Sequence, residues 1–105
     1  MRKVDNKWIY SVASRGLADV FDISPVELEK ELNNGDFAKK RVANRKKFDM
    51  LFKSFAQLAA EKKNFESNFD VYDSSHHIVV LHLNFLCVSD LVNNIEYILH
   101  ASPIY

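Results

Sequence analysis

From Phe48 onward the chain sets Phe48, Leu51, Phe52, Phe55, Leu58 and Ala59 three and four residues apart. That spacing is the 3.6-residue period of a helix with a single apolar stripe. Upstream, Ser24-Pro25-Val26-Glu27 predicts a helix start, with serine as cap, proline in the first turn and glutamate returning a hydrogen bond. Asn33-Asn34-Gly35 predicts its end, because glycine accepts the left-handed conformation that closes many helices. Asp36 then caps a third helical segment, which is expected to run unbroken to about Lys63.

After Lys63 the pattern changes period. Phe65 to Tyr72 alternates roughly, Asp73-Ser74-Ser75 reads as a turn, and His76 to Leu83 is rich in β-branched residues, together predicting a β-hairpin. In its second strand His77, Val79, Leu81, Leu83 and Phe85 share the face expected to be buried, and His76, Ile78, Val80, His82 and Asn84 share the other. Ser89-Asp90 is expected to cap a closing amphipathic helix carrying Leu91, Val92, Ile95, Ile98 and Leu99, which Pro103 stops. Lys7 to Val12 reads as a short strand, followed by a helix from Ser14. The expected fold class is α+β: a helical hairpin, one long basic helix, a β-hairpin and a C-terminal helix. A chain of 105 residues is the size of one domain, so residues 1–105 are expected to form a single unit.

Composition narrows the setting. Nearly half the residues are apolar (48%), which fits a folded globule rather than a disordered tail. No signal-peptide core follows Met1-Arg2-Lys3, no window reaches a membrane span, and the lone Cys87 lies in an apolar run where a buried thiol is expected. The expectation is a cytoplasmic protein without a membrane partner.

The zero net charge hides a division along the chain. Between Phe37 and Lys63 stand Lys39, Lys40, Arg41, Arg45, Lys46, Lys47, Lys53, Lys62 and Lys63 against only Asp49 and Glu61; the remainder is correspondingly acidic. On a helical wheel the cations from Lys39 to Lys47 occupy nearly every side, so these turns are expected to project into water. There they would neutralise phosphates or meet an acidic protein surface.

Residues 16–32 resemble a helix-turn-helix. Leu17-Ala18, Ile23-Ser24, Leu28 and Leu32 stand where that motif places its alanine, turn hydrophobe, capping serine and buried second helix. The second helix, however, offers Glu27, Glu29 and Glu31, which phosphate repels, and Asp22 replaces the glycine usual in the turn. Base reading by this helix is disfavoured, and it is instead a candidate acidic surface for a partner.

The four histidines lack metal-ligand spacing, and no nucleophile motif, phosphate loop or carboxylate pair supports catalysis. No enzyme, metal or cofactor is expected. The leading expectation is a small regulator contacting nucleic acid or a nucleoprotein complex through the basic segment, with the hairpin as a wing. The other is a protein-binding inhibitor or adaptor, such as a small phage or mobile-element product, acting by electrostatically steered contact. The strand face carrying Ile78 and Val80 further suggests a homodimer, unless the N-terminal segment covers it.

Overall fold

A computed structural model describes residues 1–4, 7–11, 15–88 and 95–104. Within them the elements run β1 (Arg2–Val4), β2 (Lys7–Ile9), α1 (Gly16–Val20), α2 (Pro25–Asn34), α3 (Asp36–Lys40), α4 (Arg45–Ala60), β3 (Phe65–Tyr72), β4 (Ile78–Cys87) and β5 (Tyr97–Ile104).

The helical hairpin forms as its local chemistry dictates. Ser24 Oγ accepts from the Glu27 N–H and Pro25 opens α2, while Gly35 closes it at φ 85°. The turn before α2 ends α1 in a Schellman arrangement. Ile23 N–H reaches back to the Ala18 carbonyl and Asp22 N–H to that of Asp19, with Asp22 itself at φ 54°. An aspartate thus holds the left-handed position that glycine usually fills.

The long basic helix is not continuous. It divides into α3 and α4, because residues 41–43 leave the helical path and pair with the edge of β3. Tyr72 N–H donates to the Arg41 carbonyl and Ala43 N–H to that of Asp70, around a Val42–Val71 bridge. Asn44 then caps α4 afresh, its Oδ1 accepting from the Lys47 N–H. The early basic turns do not project either. Phe37 is buried, its ring edge-on to Phe21 at 5.5 Å and to Phe69 at 6.3 Å, and so ties α3 to the body of the fold.

The closing helix is likewise overturned. Its proposed start, residues 89–94, lies outside the described residues, but Ile98 and Leu99 lie in strand β5, antiparallel to β4 with Phe85 opposite Leu99 and Leu81 opposite Pro103. Pro103 therefore sits in an edge strand, where a missing N–H is tolerated, rather than stopping a helix. The fold class is corrected accordingly to a mixed fold that comprises, among the described residues, four helices, a two-stranded sheet β1–β2 and a three-stranded sheet β3–β4–β5.

The core lies between the helices and one face of the larger sheet. Phe55 of α4 is fully buried, stacked on Phe85 at 4.3 Å and edge-on to Tyr97 at 5.0 Å. Trp8 of β2 joins this cluster against Phe55 at 5.2 Å. The N-terminal segment thus packs on the helical side of the sheet. Val79, Leu81, Leu83 and Phe85 are buried as expected, but His77 is exposed in the hairpin turn and Cys87 is only half-buried.

Candidate functional site

Each expected basic contact now has a position. Arg41 is not a free cation. Its Nε donates to Glu31 Oε1 at 3.0 Å and its NH2 nitrogen to Oε2 at 2.8 Å, with the guanidinium 5.3 Å from the centre of the Phe21 ring. The hydrogen bonds from Arg41, helped by its charge and that of Lys40, hold the Glu31 carboxyl below its ordinary range despite burial. Arg45 is engaged by Asp49 one turn on at 3.0 Å, and Lys47 lies 3.6 Å from Asp70. Among the described residues Lys39, Lys40 and Lys46 are exposed and carry no ion pair within 4 Å. The acidic trio of α2 is also divided: Glu31 is buried against Arg41, whereas Glu27 lies on the surface.

The remaining chemistry is sparse. A cleft of about 280 Å³ is lined by Met1, Tyr10, Ser11, Leu17, Leu32 and Leu99 among others. Burial pushes the Tyr10 phenol up to about 12, so in neutral solution it is protonated and does not act as a base. The Tyr10 backbone is clamped by Asn33, whose Oδ1 accepts from Tyr10 N–H at 2.8 Å and whose Nδ2 donates to its carbonyl at 3.0 Å. Among the described residues, no cluster of His, Cys, Asp or Glu side chains could hold a metal ion, and no helix is long and apolar enough to cross a membrane.

What the sequence announced only in part, through Ile78 and Val80, is the far side of the sheet. Every described helix that packs on β3, β4 and β5 does so from the face of Phe69, Leu81, Leu83 and Phe85. Strand alternation puts Ile78, Val80, His82, Asn84 and Leu86 of β4 beside Ile98, His100, Ser102 and Ile104 of β5 on the other face. There Ile78 is 65% exposed, Ile98 56% and Ile104 51%. Apolar side chains stand at both ends of this face. Its middle is polar, with His82 between Asn68 Oδ1 and Glu66 Oε1, each at 2.9 Å.

No protein-family model, curated protein or solved structure matches this chain. Half of this surface was hidden by the reading of residues 95–99 as helix. The signal that could have revealed it is the alternation Tyr97, Leu99, Ala101, Pro103 inward against Ile98, His100, Ser102, Ile104 outward, with Tyr97 buried.

Proposed function

We propose that this chain is a small non-enzymatic binding protein that acts by contact with a larger protein, as an inhibitor or adaptor. The observation that carries the reading is the sheet face turned away from the described helices, with Ile78, Leu86, Ile98 and Ile104 all more than a third exposed. Large apolar side chains left exposed on one face, here at its two ends with polar residues between them, are a feature of docking surfaces. Lysate pull-down with and without nuclease tests it. A stoichiometric protein that survives nuclease with the wild type and is lost with Ile98→Lys is the expected outcome. Recovery of nucleic acid alone would contradict it, and a concentration-dependent dimer abolished by Ile98→Lys would move the reading to self-association.

A second reading, nucleic-acid contact, is favoured by one observation: among the described residues Lys39, Lys40 and Lys46 are exposed and form no ion pair within 4 Å. Three lysines can neutralise about three phosphates, so log affinity would fall against log salt with a slope of roughly −2.7 on duplex DNA. Anisotropy across salt concentrations, with charge-reversed lysines as control, measures that slope; a flat line removes this reading.

A further inference from the structure

The two edges of the larger sheet are treated differently. The outer edge of β5 is occupied in part by the N-terminal segment, with Tyr97 N–H donating to the Met1 carbonyl and Lys3 N–H to that of Ile95, and Pro103 presents no N–H there. The outer edge of β3 is half occupied. Residues 41–43 pair with its C-terminal part through the Asp70 carbonyl and the Tyr72 N–H, and the chain then turns away into α4.

Which backbone groups remain open follows from alternation. Asp73 N–H bonds to the His77 carbonyl, so the odd residues of β3 face β4, and the even ones, Asp70 and Tyr72 among them, face outward. Glu66 and Asn68 therefore each aim a backbone N–H and C=O away from the sheet. No other described backbone reaches them.

Beside this open stretch lies a groove of about 530 Å³ between β3 and α4, lined by Asn44, Lys46, Lys47, Met50, Ser54 and Asn68. Leu51 and Phe65 also line it, and Met50 is 61% exposed. Its charged lining is Lys46 and Lys47 alone, with no carboxylate, although Asp70 touches Lys47 from beyond the lining at 3.6 Å.

We infer that this groove takes an extended, acidic peptide segment of a protein partner, which adds as a strand to β3. The segment continues the line begun by residues 41–43, running antiparallel to β3 and exchanging up to four hydrogen bonds with Glu66 and Asn68. One face of the peptide rests on Met50, Leu51 and Phe65, and its carboxylates meet Lys46 and Lys47. The edge already accepts a strand from its own chain one repeat further along, which shows its geometry to be competent for pairing.

This inference rests on the reading of the chain as a protein-binding module, and a phage-displayed library of short random peptides tests it without the natural partner. Peptides recovered on the wild type are synthesised with a fluorophore and titrated by anisotropy. Enrichment of sequences pairing Asp or Glu with alternating apolar residues is expected. Glu66→Pro, which removes one outward N–H and keeps the backbone bonds to β4 while losing the side-chain contact with His82, should weaken them about tenfold. Met50→Glu, at a position 61% exposed, should weaken them similarly, and Ile98→Lys on the outer sheet face should leave them unchanged. The Glu66 and Asn68 amides should become slow to exchange when peptide is bound.

No enrichment, enrichment of basic peptides, insensitivity to both Glu66→Pro and Met50→Glu, or self-association of the free protein through this edge would overturn the inference. A protein partner still captured by the wild type and lost with Ile98→Lys would then show that the groove failed while the broader protein-binding reading stood.

Discussion

At the scale of single residues, the Arg41–Glu31 pair shows what linear charge counting misses. In sequence Arg41 is one more cation in a basic run; in the fold it is a half-buried brace between the end of α3 and α2, with side-chain exposures of 20% and 12% for the pair. Ten positions of separation carry no periodic signal, so only the packing of α2 on α3 could reveal it. Arg41→Ala leaves Glu31 charged and largely desolvated, and is expected to cost about 2 kcal/mol by urea denaturation. The Arg41→Ala/Glu31→Gln double variant should lose clearly less than the sum of the single ones, since both act on one interaction. Strict additivity would contradict the pairing.

The same carboxyl sets a pH dependence. Because Glu31 is held below its ordinary value when folded, it contributes stability above the normal carboxylate range, and that contribution is lost as pH falls through the lowered value. Glu31→Gln should therefore flatten the acid side of the stability profile. Tyr10 acts at the opposite end. Its phenol is raised to about 12 by burial, so the neutral form stabilises the fold fully below pH 10 and progressively less up to 12. A loss of about 2–3 kcal/mol across that window is expected, reduced in Tyr10→Phe. An unchanged alkaline profile in Tyr10→Phe would place the alkaline loss elsewhere, with Tyr97, also raised by burial, the first alternative.

At the scale of elements, what was legible depended on whether local chemistry and tertiary pairing agreed. The cap at Ser24, the stop at Gly35, the stripe of α4 and the alternation of β4 were all readable, because each is decided within about one or two turns of chain. The break at 41–44 was not, because it is imposed by β3, whose Val71 stands far along the chain from Val42. Residues 95–104 misled for a different reason: a short apolar run fits both periods, and Pro103 serves equally as a helix stop and as an edge-strand residue. The helix ends carry a further test. Asp22 at φ 54° and Lys62 at φ 55° both close helices in the left-handed region without glycine. Asp22→Gly should relieve that strain and stabilise by about 0.5 kcal/mol after the added freedom of the unfolded chain is subtracted, whereas Asp22→Val should cost about 1 kcal/mol. Destabilisation by the glycine variant in thermal melts would contradict the assigned turn.

At the scale of the whole molecule, the asymmetry that bears on function is between the two faces and the two edges of one sheet. Among the described residues the helical packing falls on the side of Phe69, Leu83 and Phe85, and Trp8 of the N-terminal segment likewise packs there, against Phe55 and Tyr97. The candidate site was accordingly legible only in part: Ile78 and Val80 stood out as an outward strand face, but their neighbours Ile98 and Ile104 required β5 to be a strand. The basic cluster, the most conspicuous feature in the sequence, is the one the fold most divides, with Arg41, Arg45 and Lys47 drawn into contacts with Glu31, Asp49 and Asp70.

Both the bare sheet face and the open edge depend on one arrangement, β5 paired to β4 while β3 keeps a free margin, and backbone amide hydrogen exchange followed by nuclear magnetic resonance measures it directly. Slow exchange at Ile98, His100 and Ser102, which bond to β4, together with fast exchange at Glu66 and Asn68, is the predicted result. Consecutive protection across residues 95–101 with helical short-range contacts, or strong protection of the Glu66 and Asn68 amides in the free protein, would contradict it.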